Sequence, residues 1–402
     1  MRIAITNWTT RRVGGVEAYL GRVVPLLARA GHDLALVAEV TGPADREPIV
    51  DGDQIPAWTA DGDGREAMIA RVRQWRPDAV YAHGFLDPAL DAACTGLAPT
   101  VQFLHTYYGT CISGAKTFTV PAIRPCDRRF GPGCLVRYYP RRTGGLNPVT
   151  MAREYRRQQR RLDALRSSRL LLTHSDHMRH EYLRHGFPAD RVRKIRWYVP
   201  SPNADDGTES PGTRHDLLFV GRMDRLKGGT VLLDALGSVT TTATPLYVTF
   251  VGDGPDRAAW ERRAAALRLR HPGLTITFAG WLTGQALEER YRRARLLVVP
   301  SLWPEPFGQV GLEAAQHGVP AVAFDVGGIA EWLRDGITGT LVAELASPAA
   351  LARAINALLT DPERCAALSR GAKAHATQFS AANHLSDLER ALNDALGLAP
   401  TG

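Results

Sequence analysis

Short runs of β-branched and aliphatic residues alternate along this chain with amphipathic stretches that are long enough for helices. A chain with this alternation builds βαβ units, whose strands run parallel and whose helices cover the faces of the sheet. The pattern therefore predicts an α/β protein with two doubly wound, Rossmann-like domains. The expected strands are 2–7, 34–38, 79–82, 99–105, 169–173, 216–220, 246–251, 274–278, 295–300, 320–324 and 339–342.

The length of the chain and one polar stretch suggest where the domains divide. A chain of 402 residues has room for two domains. Residues 201–213 are polar and rich in turn-forming residues, which is typical of a linker. We therefore expect an N-terminal domain over 1–200, a C-terminal domain over 214–378, and a final helix in 379–402 that crosses back to the first domain. Residues 106–150 show no clear elements and are predicted to be a functional or mobile insert.

No segment has the pattern of a membrane span or a secretion signal. Uncharged apolar runs of about 18 residues are absent, and the first seven residues read as a strand. Five cysteines are too few for a disulfide scaffold, so a cytoplasmic protein is expected. Cys111, Cys126 and Cys134 lie in the insert at a spacing wider than usual zinc pairs. This spacing leaves a metal site, a redox-dependent disulfide and separate thiols open.

Basic residues concentrate in one part of the chain. The net charge is +8, and residues 101–200 alone hold 20 basic against 6 acidic side chains. This asymmetry indicates an anionic partner of the first domain, although a general preference for arginine over lysine would also produce it. Residues 124–166 are the expected contact with an anionic membrane surface, unless the basic helix face is merely solvated. That face, in a helix over 151–165, contains Arg153, Arg156, Arg157, Arg160 and Arg161.

Two glycine-containing motifs follow predicted strands, where parallel sheets bind their ligands. Val13-Gly14-Gly15-Val16-Glu17 opens a helix, and its glycines let backbone N–H groups approach an anion. This motif matches neither the dinucleotide-binding fingerprint nor the P-loop, and a tight turn is the alternative. Between Gly221 and Gly228, Arg222 and Lys227 offer cations that suit a diphosphate. Two surface cations are the alternative there.

The third motif contains two glutamates, Glu305 and Glu313, with seven residues between them. Glu305 lies in a loop after a predicted strand. Gly308 marks the expected start of a helix, whose free N–H groups can hold phosphate oxygens. A carboxylate one turn into that helix can accept hydrogen bonds from ribose hydroxyls, and a carboxylate in the preceding loop can reach a sugar beyond the phosphates. Two solvated glutamates are the alternative.

Together these motifs resemble those of the retaining glycosyltransferases of family 4, which have the GT-B architecture of two Rossmann-like domains facing across a cleft. The similarity extends over nearly the whole chain. It rests on Gly14-Gly15, on the segment from Gly221 to Gly228, and on Glu305 to Glu313. Four further segments also fit: 251–255, 278–281, 327–331 and 335–339.

The resemblance implies a role for each matching residue. Arg222 and Lys227 would hold the donor diphosphate, and Glu305 would contact the donor sugar near its reacting carbon. His105 matches the histidine that faces the donor sugar, although a buried histidine at a strand end is commonly structural. The remaining donor-binding residues implied are Gly15 and Gly221 beside the phosphates, Phe307, Gly308, Gln309 and Val310 in the phosphate cradle, Glu313 at the ribose, and Gly280 and Trp281 at the base.

The resemblance also implies a reaction without a metal or a cofactor, because cations and a helix N-terminus can stabilise the departing diphosphate. No Asp or Glu identifies itself as a nucleophile, so same-face attack is expected rather than a covalent intermediate. Two segments have the D-x-D pattern of a metal-binding motif, Asp51-Gly52-Asp53 and Asp61-Gly62-Asp63. They are predicted to be acidic loops and not metal sites.

The substrates implied are a UDP- or GDP-linked sugar and a glycan or lipid-linked acceptor, in polysaccharide, glycolipid or related synthesis. A GT-B-type phosphorylase and a non-catalytic subunit that binds sugar nucleotides are the alternatives. Nucleic acid is not an expected partner, because aromatic residues interleaved with arginine are sparse apart from Arg137-Tyr138-Tyr139.

Overall fold

The computed structural model describes residues 1–200, 216–240 and 246–398, which form two compact units. The first unit comprises Met1–Ala115, Arg128–Tyr198 and the end of the chain from Ala381. The second comprises Lys116–Asp127 and Val199–Ser380. The predicted linker over 201–213 lies outside the described residues.

Strands and helices alternate through most of both units. The strands are β1 (Arg2–Thr9), β2 (Asp33–Val40), β3 (Ala57–Thr59), β4 (Ala79–Ala82), β5 (Thr100–Phe103), β6 (Thr117–Phe118), β7 (Arg124–Pro125), β8 (Leu170–Thr173), β9 (Val192–Lys194), β10 (Asp216–Val220), β11 (Leu246–Val251), β12 (Leu274–Gly280), β13 (Ala294–Val299), β14 (Ala321–Phe324) and β15 (Gly339–Val342). The α-helices are α1 (Gly15–Arg29), α2 (Ala60–Asp63), α3 (Arg65–Trp75), α4 (Pro88–Thr95), α5 (Gly133–Tyr138), α6 (Pro148–Ser167), α7 (Asp176–Arg184), α8 (Gly229–Leu236), α9 (Arg257–Arg270), α10 (Gly284–Arg293), α11 (Gln309–Gln316), α12 (Pro348–Leu359), α13 (Pro362–Ala376) and α14 (Ala381–Leu396).

The first unit is built on a parallel sheet of seven strands in the order β3-β2-β1-β4-β5-β8-β9. From β1 the chain winds to β2 and β3 on one side, and β4 then begins the other side. The sheet therefore has its topological switch point between β1 and β4, and ligands of such sheets bind beyond the carboxyl ends of the strands at that point. Aliphatic residues such as Ile3, Ile5 and Leu36 are buried in these strands, as expected of a sheet covered on both faces.

The second unit repeats this plan with six parallel strands in the order β12-β11-β10-β13-β14-β15. Here the chain winds from β10 to β11 and β12, then crosses to β13 on the other side of β10. The switch point therefore lies between β10 and β13. The two parallel sheets confirm the predicted fold class of two doubly wound α/β units.

The last helix, α14, belongs to the first unit, although the chain reaches it only after the whole second sheet. Its residues Leu388 and Leu392 are fully buried. The His384 ring is also buried, with Nε2 lying 2.8 Å from the Tyr19 hydroxyl and Nδ1 lying 2.5 Å from the Arg196 carbonyl oxygen. The helix thus closes part of the core of a unit whose other strands and helices all lie before residue 199.

The predicted insert over 106–150 contains regular structure. Residues 116–127 group with the second unit and contain the β6–β7 hairpin, whereas the rest of the insert lies in the first. Helix α5 follows, and α6 begins at Pro148, three residues before the predicted helix start. The pairs Asp51–Asp53 and Asp61–Asp63 also differ from each other, because the second lies in helix α2 and not in a loop. All five cysteines are free thiols.

Candidate active site

Polar side chains gather beyond the carboxyl ends of β10 and β13, which flank the switch point of the second sheet. Lys227 ends a short helical turn that follows β10, and the Asp224 carboxylate caps that turn by accepting from the Leu226 N–H at 2.9 Å. Glu305 lies in the loop between β13 and α11. The sheet topology thus brings together two residues that are 78 positions apart.

Lys227 and Glu305 form an ion pair in which the ammonium Nζ lies 2.6 Å from carboxylate Oε1. The Ser301 hydroxyl donates to the same oxygen at 2.5 Å. Lys227 Nζ also lies 5.3 Å from the centre of the Trp303 ring, within the range of a cation–π contact. Only 4% of Glu305 is exposed, so its charge depends on these partners. The pair is a buried carboxylate held beside a more accessible ammonium.

Two glycines allow the backbone segments of this site to approach closely. Gly228 adopts a φ of +72°, and a Cβ there would lie 1.8 Å from the Pro300 carbonyl oxygen at the end of β13. Gly327 adopts a φ of +66°, and a Cβ there would lie 2.4 Å from the Glu305 backbone nitrogen. The next residue, Gly328, donates its N–H to the Glu305 carbonyl at 2.6 Å. Glycine is required at both positions because a side chain would displace the segments that hold Lys227 and Glu305.

Helix α11 begins directly after Gly308, whose φ of +86° turns the chain into the helix, as predicted. The Trp332 indole donates to the Phe307 carbonyl at 2.7 Å. The Trp332 ring also packs where a Cβ on Gly311 would lie, 2.2 Å away. This indole therefore fixes the start of the helix, and the predicted cradle residues Gln309 and Val310 form its first turn. The first N–H groups of a helix have no partner within the helix and attract anions.

Glu313 lies in the second turn of α11 with its carboxylate already oriented. Oε2 accepts from the Tyr291 hydroxyl at 2.9 Å, and Oε1 accepts from the Gln309 side-chain amide at 3.1 Å. The residue is partly exposed. A carboxylate held in this way keeps lone pairs that can accept from a ligand hydroxyl.

Arg222, Gly221, Gly280 and Trp281 lie at the same edge of the second sheet. Gly221 follows β10, and its N–H donates to the carbonyl of Val251 at the end of β11. Gly280 ends β12, and its carbonyl accepts from Gly252 at 2.8 Å. The Arg222 side chain is 69% exposed, and its Nε lies 3.7 Å from Asp224. Trp281 is 61% exposed. These four residues therefore lie at the same sheet edge as the ion pair.

The other two predicted site residues, Gly15 and His105, lie in the first unit. Gly15 is the first residue of α1, and a Cβ there would meet no atom within 4 Å. His105 lies two residues beyond the end of β5, whereas the predicted strand ran through it. Its Nε2 lies 2.8 Å from His83 Nδ1. Burial, with His83 beside it, lowers the pKa of His105 well below the usual value, so its ring is neutral at pH 7.

The basic face of helix α6 is smaller than the sequence predicted. Arg161 is only 4% exposed, because its guanidinium donates to the Phe85 and Leu86 carbonyls at 2.8 Å and stacks over the Tyr108 ring. Arg157 also donates to Leu86. Arg161 and Arg157 therefore hold a turn of the chain, and three arginines of the predicted face remain exposed: Arg153, Arg156 and Arg160.

Exposed apolar side chains lie near these three arginines. Of the ten large apolar residues that are exposed in the described part of the chain, five belong to α5, α6 or the segments beside them: Leu86, Val136, Tyr139, Leu146 and Val149. Leu86 and Val149 line an open groove of about 870 Å³ together with the exposed arginines. We call this surface the basic groove. No helix in the described residues is both long enough and apolar enough to cross a membrane.

The motifs did not identify several residues that organise this site. Ser301 and Trp303 both contact the Lys227–Glu305 pair, and Tyr291 and Trp332 orient Glu313 and the start of α11. A signal existed only for Ser301, which follows a buried strand and precedes Glu305 by four residues. Tyr291 and Trp332 reach the site from another helix and from a later turn, and no local pattern indicates that.

Two family models match the chain. The model described as "Glycosyl transferases group 1" matches residues 201–375, and the model described as "Glycosyltransferase Family 4" matches residues 13–197. Together the two matched regions span most of the chain.

Curated proteins and solved structures show the same similarity. The D-inositol 3-phosphate glycosyltransferase of Salinispora tropica is 37% identical over 185 residues, which cover 44% of this chain and 38% of that protein. The match thus spans about two fifths of that relative's length. The glycogen synthase of Mycobacterium tuberculosis is 27% identical over 417 residues, covering 94% of this chain and 90% of the synthase. The crystal structure of Anabaena HepE in complex with UDP superposes with a TM-score of 0.70 at 18% identity, covering 98% of this chain and 100% of HepE. At that identity the superposition shows a shared fold.

Proposed function

Because this chain belongs to the family 4 glycosyltransferases, we propose that it transfers a sugar from a UDP- or GDP-linked donor to a hydroxyl of a glycan or lipid-linked acceptor, with retention of anomeric configuration. Its structural neighbours are GT-B glycosyltransferases, as the sequence motifs predicted. One of them, HepE, has been solved with UDP and with UDP-glucose. The context proposed is the synthesis of a polysaccharide, a glycolipid or a related glycoconjugate.

The observation on which the proposal rests is the Lys227–Glu305 pair at the switch point of the second sheet. An ammonium, an exposed guanidinium from Arg222 and the start of α11 all lie at the carboxyl edge of that sheet. Each favours negative charge, and a nucleoside diphosphate is the leaving group that would use all three. Glu313, which has an oriented carboxylate, supplies an acceptor for the ribose hydroxyls of the same donor.

Charge stabilisation by this group of residues is the proposed source of catalysis. When the bond between the anomeric carbon and the diphosphate breaks, the electron pair stays on the phosphate oxygen, where Lys227 and Arg222 can stabilise it without a metal ion. Preplaced donors at such a site lower the barrier because they need no reorganisation during the reaction.

Retention is proposed to occur by attack of the acceptor on the face from which the diphosphate leaves. The departing phosphate oxygen takes the proton of the acceptor hydroxyl as the new bond forms. The contacts of Glu305 Oε1 favour this over a covalent intermediate, because accepting from both an ammonium and a hydroxyl lowers the nucleophilicity of that oxygen. Glu305 instead holds Lys227 next to the donor sugar.

Thermal unfolding in the presence of nucleotides tests the donor site directly. A ligand present at 100 times its Kd stabilises the folded protein by about 2.7 kcal/mol, so UDP or GDP should raise the unfolding temperature and the corresponding monophosphate should raise it less. NMR of the product made from the stabilising sugar nucleotide should show the donor's anomeric configuration, and EDTA should leave the rate unchanged. An inverted product would contradict retention, and an unchanged unfolding temperature with every nucleotide would contradict the donor site.

The basic groove is proposed to bind an anionic membrane surface from which a lipid-linked acceptor is presented. Three exposed arginines beside exposed apolar side chains suit both parts of a lipid interface, the headgroups and the acyl boundary. Among the acidic residues at the groove, Glu39 accepts from backbone N–H groups and Asp87 pairs with Arg65. Glu154 pairs with Arg157 and lies 3.6 Å from Arg153, so it offsets part of the charge of Arg153, but these contacts do not involve Arg156 or Arg160.

Flotation with vesicles tests this surface. The protein should float with vesicles that contain phosphatidylglycerol at low salt and should remain in solution with phosphatidylcholine alone. At about 1 kcal/mol for each arginine near the surface, changing Arg153, Arg156 and Arg160 together to glutamine should weaken binding on the order of 100-fold. Three exposed arginines of α9 provide the matched control: Arg262, Arg268 and Arg270. Equal losses in the two triple variants would point to net charge and not to the basic groove.

A further inference from the structure

Tyr291 is a buried side chain beside the proposed donor site, and the proposed function gives it no role. It lies on α10, whose ten residues all belong to the described part of the chain, and it is the only one of them that is buried. Its exposed fraction is 2%. Helix α10 begins at Gly284, shortly after Gly280 and Trp281, which the resemblance places at the base. The packing of this one tyrosine therefore anchors the helix that follows the base segment.

Two contacts hold Tyr291 against the neighbouring helix α11. Its hydroxyl donates to Glu313 Oε2 at 2.9 Å, so the side chain reaches from α10 to the carboxylate proposed to bind the ribose. Its ring stacks on the His317 ring with a distance of 5.7 Å between the centres and an angle of 11° between the planes. His317 is buried at the end of α11. The polar and the aromatic contact together fix where the hydroxyl of Tyr291 lies.

The Glu313 carboxylate is held from two different helices. Gln309, one turn earlier in α11, donates its side-chain amide to Oε1 at 3.1 Å, while Tyr291 of α10 donates to Oε2. Because each oxygen has its own donor, the plane of the carboxylate is fixed. A glutamate without such donors samples several rotamers, and ordering it on binding reduces the affinity for a ligand. The two donors therefore set the orientation of the carboxylate before a ligand arrives.

The groups that suit a carboxylate fixed in this way are the hydroxyls of a ligand. Glu313 is partly exposed and Tyr291 is buried, so the glutamate can touch a ligand and the tyrosine can act only through it. An ionised carboxylate accepts hydrogen bonds, and each ribose hydroxyl can donate one. Hydrogen bonds to a charged group are roughly twice as strong as neutral ones. The orientation of Glu313 should therefore affect how strongly the site prefers a nucleotide that has these hydroxyls.

We infer that Tyr291 is the positioning residue for ribose recognition, because its hydroxyl orients the Glu313 carboxylate and so lets the site select a ribonucleotide over one that lacks the ribose hydroxyls. The inference rests on the proposed function, which places the ribose of the donor at Glu313. A purely structural hydroxyl that only holds α10 against α11 would contribute to stability and not to this selectivity. Selectivity for the ribose hydroxyls is therefore the property to measure.

The test removes one hydroxyl and keeps the buried ring, as in Tyr291→Phe. Isothermal titration of the intact protein measures the Kd of UDP and of 2′,3′-dideoxy-UDP, or of the guanosine pair if GDP is the stabilising nucleotide. The parent should bind UDP on the order of 10-fold more tightly than the dideoxy analogue. Tyr291→Phe should weaken UDP binding about 3- to 10-fold and change the Kd of the analogue less than about 2-fold. Tyr247→Phe, which removes an exposed hydroxyl from β11 of the same unit, is the matched control and should keep both parent values.

A double-mutant cycle shows whether the hydroxyl acts through the carboxylate. Glu313→Ala should bring the two Kd values close together, and adding Tyr291→Phe to it should then leave the Kd of UDP unchanged. An equal loss of UDP affinity from Tyr291→Phe with and without Glu313 would overturn the inference. Where transfer is measured, Tyr291→Phe should raise the donor KM more than it lowers kcat, because the ribose takes no part in the bond change.

The outcomes separate this inference from the proposed function. If Tyr291→Phe keeps the parent preference for UDP over the dideoxy analogue, the positioning role is wrong and the donor site stands. A lower unfolding temperature of that variant with unchanged selectivity would assign the hydroxyl a structural role alone. Equal Kd values of the two nucleotides in the parent would overturn the placement of the ribose at Glu313. Absence of any nucleotide binding by the parent would overturn the donor site itself, and this inference with it.

Discussion

Replacing Lys227 with alanine will lower kcat/KM for sugar transfer by about 10²–10³-fold, the effect of removing one preplaced donor to developing negative charge. The ammonium lies 2.6 Å from Glu305 at the switch point, where the proposed diphosphate gains its charge. Steady-state transfer with the nucleotide sugar that stabilises the protein measures the effect. Because the variant also leaves a buried carboxylate without its ion-pair partner, the assay must be run below the variant's own unfolding temperature.

A second lysine of the same unit supplies the control. Lys373 is exposed on α13, so Lys373→Ala removes the same charge without touching the site. It should keep the parent rate and the parent UDP affinity. Glu305→Gln keeps the shape of the carboxylate but removes its charge, and it should also lose most activity. A Lys227→Ala enzyme with at least a third of the parent rate would show that this ammonium does not stabilise the transition state.

Changing Gly228 to alanine will destabilise the second unit by more than about 3 kcal/mol or prevent its folding. The residue combines a φ of +72° with a Cβ position only 1.8 Å from the Pro300 carbonyl oxygen. Gly228 follows β10 and Pro300 follows β13, and these two strands are neighbours in the sheet. The two backbone segments cannot move apart without separating the strands, so the clash adds to the cost of the left-handed conformation. Urea unfolding of the purified variant measures the change.

Gly336 is the matched comparison for Gly228, because it has nearly the same φ, +70°, but no atom within 4 Å of the added Cβ. Gly336→Ala should therefore show the conformational cost alone, about 1–2 kcal/mol. Similar losses at Gly228 and Gly336 would mean that the close approach to Pro300 contributes nothing.

The sheets were predictable from the sequence, because buried parallel strands read as short aliphatic runs that are separated by helix-length patterns. Leu246–Val251 and Gly339–Val342 match the predicted bounds. Four strands were missed. Strands β6 and β7 form a hairpin of two residues each in the insert, and β3 and β9 have three residues each at the ends of the first sheet. Edge strands of that length hold too few apolar residues to stand out from a loop.

The candidate site was predictable where one local motif contains the residues that act together. Glu305, Gly308 and Glu313 lie within nine consecutive residues, and the structure places them around the start of α11. The contact between Lys227 and Glu305 depends on which strands are neighbours, and only the motif resemblance indicated that both belong to one site. The roles of Tyr291 and Trp332 were not predicted, because no local sequence pattern indicates that a side chain contacts a different helix.

Helical periodicity predicted that Arg161 lies on the exposed basic face of α6, but the structure buries it. A period of 3.6 residues groups side chains by direction, but it does not say which direction faces the protein. The turn at Phe85 and Leu86 needs donors for its carbonyl oxygens, and Arg161 supplies them from within the core. The grouping of residues 116–127 with the second unit likewise depends on long-range contacts that have no local pattern.

The return of α14 to the first unit has a consequence for how the protein is made. The ribosome finishes the other strands and helices of that unit by Tyr198, yet His384, Leu388 and Leu392 must still arrive to cover its core. At roughly 5–20 residues per second, the gap lasts on the order of ten seconds or more. During that interval the nascent first unit exposes an apolar surface beside Tyr19. A chaperone that binds such surfaces can therefore bind the first unit before α14 is made.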